Sequence, residues 1–225
     1  MRFVILLLPL LANCNVFENI YTNNNWFYGS GGGSTFENTI QYRSFLTGIF
    51  NMGSFSVVDI GCGDWQIMRH VIIPKCVNYL GVDVVNSLIL QNQIQFGKEN
   101  IKFKLINGFS EIPNTDVIII KDVLQHTSPE DVRFLFENVL SRCRVAFIIN
   151  GIYGDNPSYN LNQNITTGGF TAFDPTLHPY NYSVDLIMSY SIRINSWHEI
   201  KRIYKYTNQL FTFNSDFVNT NAELK

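Results

Sequence analysis

Short apolar runs alternate with stretches of helical periodicity over the first two thirds of the chain. Ser56 to Ile60 is apolar and β-branched and stops at Gly61, the pattern of a parallel strand buried on both faces. Tyr79–Val84, Ile101–Ile106, Asp116–Lys121 and Val145–Ile149 read as further strands, Asp116–Lys121 as a run of Val and Ile. Helices are predicted between them. One spans Glu37–Phe50, with Ser34 or Thr35 near its N-cap. A second spans Asp64–Ile73 and ends before Pro74. A third spans Ser87–Phe96. The next helix has the clearest boundary signals: Ser128 as N-cap, Pro129 at the first helical position, then Glu130 and Asp131 against the macrodipole. Val132, Leu135, Phe136, Val139 and Leu140 give it one apolar face, with Arg142 and Arg144 near its C-terminal end. Strands alternating with helices imply parallel pairing and right-handed crossovers.

Beyond Asn150 the periodicity fails. Gly151 to Ser183 is rich in Gly, Asn, Pro, Thr and Tyr, and an aperiodic stretch of that length inside a compact domain is often functional. Alternation resumes at Ile200–Phe213, as for a closing strand or hairpin. No repeat and no second core is visible. With 225 residues, 46% of them hydrophobic, the chain has material for one sizeable core. Residues 15–225 are therefore expected to form a single domain.

Residues 1–14 are a hydrophobic leader: Met1-Arg2, an apolar run from Phe3 to Leu11, then Ala12-Asn13-Cys14. That run is too short for the ~20 residues that span a bilayer, so no transmembrane span is expected. It fits either a signal peptide or an apolar segment packed on the domain. Sequons at Asn164-Ile165-Thr166 and Asn181-Tyr182-Ser183 would suit secretion, but cleavage after Cys14 would leave an odd number of cysteines. The expected location is cytoplasmic, or the secretory pathway if the leader is a signal.

The net charge of -2 and the lack of any Lys/Arg run argue against nucleic acid as partner. A small-molecule or sugar substrate is the better expectation. Cys14, Cys62, Cys76 and Cys143 have no C-x-x-C spacing and no His cluster beside them, so neither a metal site nor a disulfide framework is expected.

The candidate chemistry sits at the first strand. Val57-Val58-Asp59-Ile60-Gly61-Cys62-Gly63-Asp64 reads as strand, glycine turn and helix start, where the backbone can approach a ligand closely. The next strand ends in Leu80-Gly81-Val82-Asp83. An acid about twenty residues after such glycines can accept both hydroxyls of a ribose. Both elements end at the carboxyl edge of adjacent parallel strands, where ligands of open α/β sheets bind. Gln66 stands where a dinucleotide fingerprint has its third glycine, which disfavours NAD.

This arrangement resembles motif I and the ribose-binding acid of the class I S-adenosylmethionine-dependent methyltransferases. The resemblance covers about Val16 to Tyr206. A narrower likeness rests on Trp26, Ser30-Gly31-Gly32-Gly33-Ser34-Thr35, Cys62-Gly63-Asp64-Trp65, Lys121-Asp122-Val123-Leu124-Gln125-His126 and Thr167-Gly168-Gly169-Phe170. In that order they look like small stand-alone bacterial and algal-virus methyltransferases. The resemblance implies a Rossmann-like α/β fold: a seven-stranded, mostly parallel sheet, helices on both faces and an antiparallel last strand. It implies S-adenosyl-L-methionine as cosubstrate. Gly61, Gly63 and Asp64 would line the methionine end, with Cys62 a small spacer and Asp59 bracing the turn. Asp83 and Val84 would meet the ribose, and Asn107, Gly108 and Phe109 the adenine. Asn107 departs from the acid often found at the adenine position. The Gly-rich loop before the first long helix reads as a lid or a linker.

The expected reaction is methyl transfer, with a hydroxyl as acceptor atom. A hydroxyl needs a base, and the candidates after the fourth strand are Asp122 and His126. His178 and Asp174 are secondary. The Gly151–Ser183 loop is the expected acceptor-binding region. Three other readings remain: a non-catalytic S-adenosylmethionine-binding protein, an NAD or nucleotide-sugar oxidoreductase, and, suggested only by the leader, a secreted or interaction protein.

Overall fold

The computed structural model describes residues 16–209; the leader at 1–14 and the end of the expected terminal alternation lie outside the described residues. Seven strands form one sheet: β1 (Phe55–Ile60), β2 (Val77–Asp83), β3 (Ile101–Leu105), β4 (Thr115–Lys121), β5 (Cys143–Tyr153), β6 (Asp185–Ile194) and β7 (Trp197–Thr207). Their order is β3-β2-β1-β4-β5-β7-β6. Strands β1 to β5 pair in parallel, and β7 runs antiparallel between β5 and β6. The helices are α1 (16–22), α2 (Ile40–Phe50), α3 (Asn86–Phe96) and α4 (Pro129–Phe134). No helix among the described residues is long and apolar enough to cross a membrane.

Alternation along the strands feeds two apolar layers. On one face Val57, Tyr79, Ile119, Ile149 and Ile203 pack with Tyr42, Leu46 and Phe50 of α2. On the other Ile118, Ile120 and Ile148 pack with Val132, Leu135 and Val139. The strand reading therefore located the sheet. Ser128 caps α4 as expected, accepting from Asp131 N at 3.2 Å.

Four features differ from expectation. The helix expected over Asp64–Ile73 is reduced to a 3-10 turn, Met68–His70. Trp65 has φ 57°, a left-handed conformation that no α-helix continues through. That bend turns the indole into the core against Phe96 and Phe103, where its Nε1 donates to Tyr79 OH at 2.8 Å. Helix α4 gives way to a π turn, Leu135–Val139, and a 3-10 turn, Leu140–Arg142, while keeping its apolar face buried. Strand β5 runs to Tyr153 rather than Ile149, because β7 pairs with it as far as Glu199. The β6 strand was not foreseen: at the sheet edge, most of its positions are exposed.

The crossover from β5 to β6, residues 154–184, contains no helix. Polar side chains hold it instead. Asn162 Oδ1 accepts from Asp174 N at 3.0 Å, and its Nδ2 donates to Asp174 O at 2.8 Å. Asp174 also pairs with Arg202 on β7.

Candidate active site

A cavity of about 540 Å³ opens at the carboxyl ends of the central strands. One half is built from the turns after β1, β2 and β3. Gly61 follows β1 with φ 71°. Its N and that of Cys62 both donate to Val82 O, at 2.8 and 3.1 Å, which pins the turn to β2. A Cβ on Gly61 would lie 2.3 Å from Val123 Cγ2. Gly61→Ala is thus expected to combine a left-handed φ with overpacking and to cost about 2–4 kcal/mol in urea unfolding. Trimming Val123 to Ala in the same chain should recover part of that loss; no recovery would show that the contact is not the cause.

Asp83, at the tip of β2, is 8% exposed. Its Oδ2 accepts from Gly63 N at 2.9 Å and its Oδ1 from Val85 N at 3.0 Å. Burial pushes its carboxyl up, against the pull of these backbone donors. Asp59 accepts from Tyr79 OH at 2.5 Å, and burial raises it to about 7 despite that bond. Asp64 accepts from Ser30 Oγ at 2.8 Å. None of these three carboxylates is ion-paired with a cation among the described residues. Cys62 is a half-buried thiol pushed up by desolvation, which keeps it un-ionised and unsuited to nucleophilic attack. Beyond β3, the Asn107 side-chain and backbone nitrogens both donate to Glu111 Oε1, at 2.9 and 3.1 Å.

Asp59, Gly61, Cys62, Asp64, Asp83, Val84, Asn107, Gly108 and Phe109 all line the cavity, and Gly63 does not. The reason is the segment before α2. A Cβ on Gly63 would meet Ser30 Oγ at 2.5 Å and Tyr21 OH at 2.8 Å. Gly63 thus makes room for the N-terminal segment. That segment spans the cavity: Tyr21 OH bonds Ser30 Oγ at 2.8 Å, Gln66 Nε2 donates to Tyr28 O at 3.2 Å, and the Trp26 ring lies tilted against His126.

The other half gathers around the end of β4. Asp122 has φ 56°, and its carboxylate is held by Lys121 and by Lys201 Nζ at 2.7 Å. Lys201, 2% exposed, also bonds Glu199 at 2.9 Å. Lys121 Nζ reaches Gly33 O and Ser34 Oγ, each at 3.4 Å. Burial alone would raise the Asp122 carboxyl, but the two ammonium groups more than offset it and hold it at about 2. A carboxylate so occupied is a poor proton acceptor. Removing Lys201 would leave Glu199 without its cation and Asp122 with Lys121 alone, so Lys201→Ala is expected to cost about 3–5 kcal/mol in denaturant unfolding. A loss under about 1 kcal/mol would mean the pair is solvated in practice.

His126 closes a 3-10 turn, Leu124–His126. Its Nδ1 lies 2.8 Å from Gly169 O, which can only accept, so Nδ1 carries the hydrogen and Nε2 the lone pair. Nε2 is 3.3 Å from Gln125 Nε2. Trp26 covers the ring at 4.7 Å and Phe170 flanks it at 5.5 Å. Burial holds the imidazole below its usual range. The long loop is tied to this turn: Gly168 N donates to His126 O at 2.8 Å, and Thr171 N to Gln125 O at 2.9 Å. Asp174 and His178 do not line the cavity. The carboxylate of Asp174 is spent on Arg202 and Thr176.

The sequence reading did not foresee Tyr21, Glu199 or Lys201 at the cavity wall. A signal existed for two of them. Glu199, Lys201 and Ile203 share one face of a strand by their spacing, and opposite charges leading into an isoleucine mark a buried pair.

No family model matches the chain, and no curated protein matches it. Solved structures do. The chain is similar to the 1,6-didemethyltoxoflavin-N1-methyltransferase of Burkholderia thailandensis, solved with 1,6-didemethyltoxoflavin and S-adenosylhomocysteine: TM-score 0.59, 14% identity, 92% of this chain and 93% of that one. It is similar to the magnesium protoporphyrin IX methyltransferase of Synechocystis PCC 6803 with bound S-adenosylhomocysteine, at TM-score 0.51 and 14% identity over 75% and 81% of the two chains. It is also similar to DhpI in complex with S-adenosylhomocysteine, at TM-score 0.51 and 12% identity over 86% and 95%. With its strand order and single reversed strand, the chain has the fold of the class I S-adenosylmethionine-dependent methyltransferases.

Proposed function

We propose that this protein transfers a methyl group from S-adenosylmethionine to a hydroxyl of a small molecule. The observation that carries the reading is the set of three carboxylates without cationic partners, Asp59, Asp64 and Asp83, on one cavity that also holds His126. A cosubstrate with a sulfonium, an ammonium and a ribose diol fits such a wall, because carboxylates without cationic partners, Asp59 and Asp83 buried and Asp64 half-buried, favour cations and hydrogen-bond donors. When bound, it supplies a methyl group already activated for in-line displacement.

Each residue then has a part. Asp83 accepts from the ribose hydroxyls with the lone pairs that Gly63 and Val85 leave over. Asn107, its nitrogen committed to Glu111, offers its oxygen to the adenine amine. Asp64, with Ser30 and Tyr21 above it, closes the methionine end. The N-terminal segment excludes water, which raises the value of every electrostatic contact inside. His126 Nε2 takes the acceptor's proton as the oxygen attacks; the C–O bond forms while the electrons of the C–S bond pass to sulfur. The Nδ1–H bond to Gly169 O orients the ring and steadies the imidazolium. Asp122 acts indirectly, as the centre of the ion-pair cluster that fixes β4, β7 and the Gly33–Ser34 loop.

The likeness to methyltransferases with bound S-adenosylhomocysteine supports this reading. The test is release of S-adenosylhomocysteine with hydroxylated small molecules. Turnover that requires both an acceptor and His126 is the expected result. Consumption indifferent to any acceptor, or transfer to nitrogen or carbon alone, would reject the hydroxyl chemistry.

A further inference from the structure

Beyond His126 the cavity ends in a corner of aromatic rings. The Tyr153 ring meets Phe170 at 84° with centroids 6.4 Å apart, and Trp197 at 88° and 5.8 Å. All three residues line the cavity. Phe170 is 40% and Trp197 47% exposed, so their apolar surface is bare toward that space. Phe170 in turn lies 5.5 Å from the His126 ring. Rings at right angles offer one face to stack on and one edge to meet, an arrangement that suits a flat ring entering the corner.

The charged groups beside this corner are already paired, while Gln125 Oε1 on the same cavity is buried without a partner. Lys121 and Lys201 are bonded to Asp122, and Lys201 to Glu199. Two ammonium groups thus meet two carboxylates, and the cluster presents no net charge to an ionic ligand. A sugar needs side chains directed at several hydroxyls, and would have to compete with these ion pairs for them. A flat apolar ring makes no such demand and gains from covering Phe170 and Trp197.

We infer that the methyl acceptor is a flat, uncharged aromatic or heteroaromatic ring bearing a phenol-type O–H, seated against Tyr153, Phe170 and Trp197 with that O–H toward His126. This rests on the methyltransferase reading above and narrows it, replacing the sugar that composition had left open. A phenol-type O–H is acidic enough for a histidine base, and its oxygen is the nucleophile that takes the methyl group.

The test measures binding to the full chain, by calorimetry in saturating S-adenosylhomocysteine, of naphthol, hydroxyquinoline, glucose and N-acetylglucosamine. Saturable binding of a ring compound, weakened about tenfold in Trp197→Ala and in Phe170→Ala, is expected. Affinity for S-adenosylhomocysteine should stay unchanged in both variants. Both side chains are half-exposed, so truncation spares the fold, and circular dichroism checks it. Sugars binding tighter than rings, no saturable ring binding, or ring binding indifferent to both variants would overturn the inference. Those outcomes leave the methyltransferase reading intact as long as S-adenosylhomocysteine binds. Loss of that binding in the unaltered chain would instead strike the reading itself.

Discussion

Asp83→Ala is expected to weaken S-adenosylmethionine binding by at least about 100-fold while leaving the sheet folded. The ribose hydroxyls would lose two hydrogen bonds to a charged group, each worth about 1.5–3 kcal/mol. Their sum of about 3–6 kcal/mol corresponds to a factor of about 10² to 10⁴. The substitution also strands the N–H groups of Gly63 and Val85, which now bond the carboxylate. Part of any effect could therefore come from the turn. Asp83→Asn separates the two causes, since its amide oxygen still accepts from one of these donors. Equal, large losses in both variants point to the lost charge and diol contacts. A loss in alanine alone would make Asp83 a brace for the turn.

His126→Ala is expected to lower kcat by about 10²–10⁴, the usual contribution of a placed base. Affinity for S-adenosylmethionine should change little, because the proposed mechanism puts His126 at the acceptor and not at the cosubstrate. The pH dependence follows from burial, which favours the neutral ring. A base works deprotonated, so kcat/KM should fall as acid is added, with its limb below the ordinary histidine value of about 6.5. Above that limb the rate should be flat through neutrality. The same burial makes a protonated His126 unfavourable in the folded state. Stability should thus be full above the usual histidine range and fall as the pH drops below it. In the alanine variant the limb should vanish. A limb that survives would assign it to another group, and a rate that survives would end the base role.

The sequence carried the sheet but not all of the site. The central strand β4 was legible because a buried parallel strand is nearly continuous Val and Ile, as at Val117–Ile120, while the edge strand β3 alternates apolar residues with exposed lysines. The turn at Gly61 and the acid at Asp83 were legible because their spacing follows from two adjacent strands ending at one edge. The missing helix after Gly63 was not. Local periodicity favoured it, and the left-handed bend at Trp65 depends on a tertiary pocket formed with Tyr79, Phe96 and Phe103. Asp122 shows the same limit: its position after β4 was clear, but its two lysine partners reach it from the same strand and from β7. Nothing local reveals that β7 inserts beside β5. The close fit of Ser30 and Tyr21 against Gly63 was not legible either, being a contact between residues far apart in the chain.

Titration of the purified full-length chain with S-adenosylmethionine, S-adenosylhomocysteine and NAD in a calorimeter bears most directly on the central claim. Saturable one-site binding of both sulfur compounds, with none for NAD, is the expected result. A folded protein that binds NAD, or that ignores both sulfur compounds, would contradict it.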